Sequence, residues 1–225
     1  MRTHFHSKTA KATLCAVLST CTFALSACNR TVNFFDYVSE YRSNLFSYTC
    51  DEFTVRAQEV EKEYPYVADG FCGTLSKRLE IFLLPTESAQ TCQIAFFYGG
   101  KTYGGDASFD SVKREYYYSC TVESSSAHSL DMRVTLDERE TEITLRSVRD
   151  EQTLSGQDAL QKLEESDPDA LHSLCEKNGF AGEIHLRLLY EDAPFYYVGV
   201  VDRKGNVSAF LLDAQTGKVL AKRQS

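Results

Sequence analysis

Cys28 is the residue whose neighbours point most directly to chemistry. It follows Leu25-Ser26-Ala27, so a thiol nucleophile stands directly after small side chains that a peptidase can admit. A second stretch, Ala95-Phe96-Phe97-Tyr98-Gly99-Gly100-Lys101-Thr102, satisfies a relaxed A/G-x4-G-K-S/T phosphate-loop spacing. A working phosphate loop wraps its amides around the anion and runs straight into a helix. Here the intervening residues are strand-like, and Tyr103-Gly104-Gly105-Asp106 opens a helix poorly. The segment is therefore expected to be a hairpin turn with no nucleotide role. Beyond residue 28 the histidines are His128, His172 and His185, none at metal-ligand spacing. No metal or other cofactor is expected, and too few carboxylates flank Asp202 or Asp213 to prefer calcium there. G-x-S-x-G, H-E-x-x-H and S-x-x-K with its companions are missing, which leaves serine hydrolase and metalloprotease readings without support. A Cys/His pair that meets only in space stays open, because such pairs are not adjacent in sequence. The acidic pairs Glu164-Glu165 and Asp137-Glu138 read as solvated surface. Tyr64, Tyr66, Tyr116, Tyr117 and Tyr118 are the candidate ligand-facing aromatics. On a strand, Tyr117 faces opposite to Tyr116 and Tyr118, and amphipathic rings suit a core rim or a recognition surface.

The chain before Cys28 tells what its thiol is for. Arg2, Lys8 and Lys11 precede a short apolar run, Ala12 to Leu25, with no acidic residue before Asp36. That run is too short to span a bilayer, which takes about 20 residues. A basic start, a short apolar core and a small-residue exit describe an export signal. Leu25-Ser26-Ala27-Cys28 resembles the bacterial lipobox. The resemblance implies a signal over 1–27, acylation of Cys28 with a diacylglyceryl group and palmitate-type chains, and residence on the outer side of a bacterial cell membrane. Several acyl chains make such anchoring stable.

Cleavage of those 27 residues leaves 198 and removes three basic side chains and no acidic one, taking the net charge from −8 to −11. An acidic chain of this kind is a poor partner for a phosphate backbone, so nucleic acid is excluded as a ligand. Cys50, Cys72, Cys92, Cys120 and Cys175 remain, an odd number with no C-x-x-C. At least one thiol is thus unpaired in the monomer. Buried reduced cysteines are expected, with one disulfide as the alternative.

The elements that would carry these residues follow from periodicity. Residues 28–45 read as a tether whose apolar part docks on the body. From 46 to 150 apolar residues alternate: Phe53, Val55, Ala57; Leu79, Ile81, Leu83; Cys92, Ile94, Phe96, Tyr98; Leu130, Met132, Val134, Leu136. Such alternation marks half-buried antiparallel strands, and six or seven of them without helices predict a β-sandwich. Near Leu154 the period changes. Ser155 and Asp158 form a capping-box-like start for a helix with Ala159, Leu160 and Leu163 on one face. Asp167-Pro168 restarts a second helix that stops at Asn178-Gly179. Strands are expected over 183–190, 195–202, 207–213 and 218–222. Residues 151–225 thus read as a small α+β domain of helices and antiparallel strands.

Within it, Phe195-Tyr196-Tyr197-Val198-Gly199-Val200-Val201, the turn Asp202–Asn206 and Asp213-Ala214-Gln215-Thr216-Gly217-Lys218-Val219-Leu220 resemble a PepSY domain. The likeness covers residues 154–222, departs from the family in its second helix, and carries over no catalytic residues. It implies ligand binding, peptidase inhibition or chaperoning. The expected whole is a non-enzymatic, lipid-anchored surface protein holding a protein or peptide ligand. The alternative is an envelope hydrolase or redox enzyme with an unrecognised cysteine or carboxylate site.

Overall fold

Strand β1 (Val38–Thr49) organises the molecule, because three strands compete for its two edges. One edge pairs throughout with β2 (Phe53–Glu63), from Glu40↔Lys62 to Thr49↔Thr54. The other edge is divided. Its first half pairs in parallel with β12 (Gly182–Tyr190), ending at Arg42↔Arg187. Its second half pairs antiparallel with β9 (Arg139–Ser147) at Phe46↔Ser147. The change of partner falls at a bulge between Arg42 and Asn44. A bulge takes one residue out of the ladder and bends the strand. Arg149 restores the lost bond, its Nη1 donating to the Ser43 carbonyl at 2.9 Å. Asn44 holds the fork by accepting from Ser147 Oγ at 2.8 Å.

The computed structural model describes residues 32–63, 73–123, 127–177 and 179–224, and residues 33–225 form a single unit. From β2 the sheet continues through β3 (Leu75–Pro85) and β7 (Glu115–Thr121) to β6 (Ser108–Asp110). On the far side, β9 pairs with β8 (Ser129–Leu136), β8 with β4 (Cys92–Tyr98), and β4 with β5 (Lys101–Asp106). The sheet curls until β5 lies against β7, so that it is nearly closed. Its interior holds the alternating residues read from the sequence, among them Phe53, Val55, Ile81, Ile94, Met132 and Val134.

The remaining strands β12, β13 (Pro194–Asp202), β14 (Val207–Asp213) and β15 (Val219–Gln224) form an antiparallel meander joined to the same sheet through β1. Helix α1 (Gly156–Ser166) is capped by Ser155, whose Oγ accepts from the Asp158 amide at 3.1 Å. Its entry is fixed to the meander: Tyr196 donates its hydroxyl to the Leu154 carbonyl at 2.8 Å, and the Leu154 amide donates to Ala214. Leu160 and Leu163 are buried, as are Ile184, Leu186, Val198, Phe210 and Leu212 on one face of the meander. Helix α2 (Asp169–His172) is a single turn, followed by the two-residue pair β10 (Cys175–Glu176) and β11 (Gly179–Phe180). Among the described residues no helix is long and apolar enough to cross a membrane.

The mostly antiparallel β character is as read from the sequence, and the described helices after residue 50 lie within 156–172. Two expectations need correction. The strands of 46–150 belong to one nearly closed hydrogen-bonded sheet, where a two-sheet sandwich was expected. The segment 28–45, expected as a tether whose apolar part docks on the body, instead contributes Val38 onward to the central strand. Its bulge shifts the alternation, so a period of two is not visible in the bare sequence.

Candidate functional site

Where β12 leaves β1, the outer surface of the central strands is uncovered. After Arg42↔Arg187 the two strands diverge, β1 toward β9 and β12 toward its hairpin with β13. Between them lies a groove of about 990 Å³. The central strands supply Arg42, Arg56, Gln58 and Phe82 to it, and the meander supplies Leu189, Phe195 and Leu211. In β3, Phe82 and Leu84 occupy the positions opposite to the core residues Ile81 and Leu83. A strand with apolar residues on both faces has something to cover on both.

The charges beside the groove are arranged in closed sets. Glu115 accepts from Arg56 at 3.4 Å and lies 3.6 Å from Lys113. The Arg56 guanidinium also lies 6.0 Å from the centre of the Phe82 ring. Glu80 is buried and accepts from Gln58 at 2.8 Å, from Tyr117 at 3.2 Å and from Lys62. Burial opposes its ionisation, but the donors of Lys62, Gln58 and Tyr117 outweigh burial and hold its carboxyl below the usual range. Glu40 takes a two-pronged contact from Arg187, with Nε to Oε1 at 2.8 Å. Arg42 stands apart: no described residue hydrogen-bonds or ion-pairs with its guanidinium, and its Nε is buried with no partner.

The expected aromatics divide by face. Tyr116 is a core residue, 2% exposed, with its hydroxyl donated to the Ala89 carbonyl at 2.6 Å. Tyr118 turns inward beside Phe96, ring centres 6.1 Å apart. Tyr117 turns outward, packs on Phe82 at 5.2 Å and takes part in the Glu80 set. Cys28, Tyr64, Tyr66 and Cys72 lie outside the described residues. The phosphate-loop look-alike is a hairpin: Tyr98 pairs with Lys101, and Gly99 and Gly100 have φ of 57° and 81°. Two successive positive φ values belong to the type I′ turn that tight hairpins favour.

Four cysteines, Cys50, Cys92, Cys120 and Cys175, are free thiols. Burial pushes Cys92 up to about 12. Cys175 is the thiol with a partner set. Its Sγ lies 3.9 Å from His172 Nδ1, and His172 Nε2 lies 2.9 Å from Glu164 Oε1. Nucleophile, base and orienting carboxylate occur in that order in thiol hydrolases. Here burial and then Glu164 raise the thiol's pKa, which opposes the thiolate such chemistry requires. None of the three lines the groove. Among the described residues no group of three or more metal-ligating side chains is present.

Sequence reasoning missed Arg42 because it sits next to the bulge, in a segment read as tether. The available signal was in β3 and β13, where Ile81-Phe82-Leu83-Leu84 and Phe195-Tyr196-Tyr197-Val198 are apolar on both faces. Comparison with known proteins found no matching family model, no matching curated protein and no matching solved structure.

Proposed function

We propose that this chain is a non-enzymatic surface protein, tethered through an acylated Cys28 to the outer side of a bacterial membrane, that holds an extended peptide or protein segment in the groove beside β1. The observation that carries the reading is the groove itself. Leu189, Phe195 and Leu211 face Phe82 across it, and an apolar trough of about 990 Å³ has room for several residues of peptide. Specific sites combine such walls with a few polar groups that fix orientation; Gln58 and Arg56 occupy those places. The PepSY-like reading of residues 154–222 agrees, since that family's roles are binding, inhibition and chaperoning. Support for it comes from the helix, the strand–turn–strand order and the Asp213–Gly217 turn.

Selection of phage-displayed peptides on the full chain tests the binding. Enriched peptides should bind the protein and its Phe97→Glu variant alike, because Phe97 is 61% exposed on β4 and is not among the residues lining the groove. They should lose binding to Leu211→Glu. Equal binding to Leu211→Glu would place the peptides elsewhere and end the groove reading. The anchor has its own test. A fatty-acid probe should label the wild type and leave Cys28→Ala unlabelled, and equal labelling of both would remove the lipid.

A second reading, thiol chemistry at Cys175, is favoured by the His172–Glu164 alignment and opposed by the raised thiol.

A further inference from the structure

Three carboxylates on the outer face, Glu40 on β1, Glu80 on β3 and Glu115 on β7, have taken cations. Arg187 takes Glu40, Lys62 takes Glu80, and Arg56 with Lys113 takes Glu115. Arg42 is left over. Across the parallel ladder it meets Arg187, and across the antiparallel one Val60, so neither neighbour offers it an acceptor. Burial weighs against its charge; Glu40 and Glu80 favour that charge through space while Arg187 and Arg56 oppose it, and both carboxylates already accept hydrogen bonds from other donors. A buried guanidinium nitrogen without an acceptor is rare in a finished structure and calls for a partner that completes it.

Resting on the groove reading above, we infer that Arg42 is the carboxylate-recognition point of the groove, and that its ligand is an extended peptide in which a carboxylate adjoins apolar side chains. The planar fork of a guanidinium matches a carboxylate with two parallel N–H···O bonds, which an amide or hydroxyl cannot accept. Phe82 lies on the central-strand side of the groove and Leu189, Phe195 and Leu211 on the meander side, so a carboxylate at Arg42 has its flanking residues beside apolar walls. The electrostatics are selective. The chain as a whole carries −8, yet this groove offers Arg42, Arg56 and Lys113 against Glu115 and Glu191. An acidic peptide is repelled by the rest of the surface and accepted here.

The test uses the full chain and two fluorescein-labelled peptides, one alternating glutamate with leucine and phenylalanine, the other its glutamine counterpart. Anisotropy should show the glutamate peptide binding at least tenfold tighter, against the sign of the protein's net charge. Arg42→Gln should bring the two peptides to equal affinity while keeping the glutamine peptide's binding, which also reports that the variant is folded. Arg42→Lys keeps the charge without the fork and should lose most of the preference; if Arg42→Gln does not fold, this variant decides alone. Wild-type protein that binds both peptides equally, with Leu211→Glu abolishing both, would overturn the carboxylate site and leave the groove reading standing. Binding of neither peptide would sink both. An Arg42-dependent affinity for palmitate in place of the peptides would make the occupant a fatty acid and also end the proposal.

Discussion

Single residues decide this fold chiefly where the backbone turns. Gly205 and Gly217 both have left-handed φ, +82° and +71°, in turns tied by the carboxylates of Asp202 and Asp213. They differ in their neighbours. A Cβ on Gly205 meets nothing within 4 Å, whereas one on Gly217 runs into the Cβ and Cγ of Lys162 on α1. Positive φ alone costs a non-glycine residue about 1–3 kcal/mol. Gly205→Ala should therefore lower the melting temperature by a few degrees, given roughly 2–4 °C per kcal/mol for a domain of this size. Gly217→Ala should lower it further, because α1 must also shift. Equal losses in a thermal melt would mean that the helix does not rest on this turn. The turn was legible in the sequence: Asp213 and Thr216 before a glycine define it by local hydrogen bonding. The faces of Tyr116, Tyr117 and Tyr118 were legible for the same reason, since strand alternation is local. Arg42 was not, because what makes it unusual is that the carboxylates around it bond to other donors, and two of them, Glu80 and Glu115, come from other strands.

At the scale of elements, the central fact is that β1 serves two groups of strands. Ile184 pairs with Val38 and Leu186 with Tyr41, and Gly156 at the start of α1 leaves only the room that the Tyr41 ring and Leu186 permit. The meander and its helices therefore lack one flank without the residues before 50. A fragment of 151–225 alone should show no cooperative thermal transition by circular dichroism, whereas the chain from residue 33 onward should melt in one step. A fragment that melts as sharply as the longer chain would show that β1 is dispensable to it. Strand existence and boundaries in 151–225 were readable because hairpin neighbours follow one another closely, with turns such as Asp202–Asn206 marking the joins. The β1–β12 pairing was unreadable for a physical reason as well. It joins residues about 145 positions apart, and nothing in a local pattern encodes a parallel partner at that distance.

For the whole molecule, acidity is felt through a half-buried histidine and the carboxylates of the turns. His185 on β12 is half-buried, and burial, with Arg187 second, lowers its pKa; Glu40, Glu183 and Glu63 pull the other way. Its unfolded value is near 6.5. A histidine lowered on folding binds its proton more readily in the unfolded chain, so stability falls as pH drops below about 6.5 and levels off beneath the folded pKa. The turn carboxylates Asp202 and Asp213 are held down by their hydrogen bonds, chiefly from Asn206 and Thr216. They add a second loss only below about pH 4, where unfolded aspartates begin to bind protons. Between pH 7 and 5, His185→Gln should flatten the decline in melting temperature; an unchanged decline would assign it to other groups. The position of β1 also bears on how the molecule resists force. Edge strands close the ends of the main sheet path, and β15, the last in the chain, is one of them. A pull on the C-terminus unzips a single ladder, rung after rung. A pull on the N-terminus draws on a strand flanked on both sides, and its ladders must fail together. An anchor at Cys28, as proposed above, would load the protein through a strand flanked on both sides.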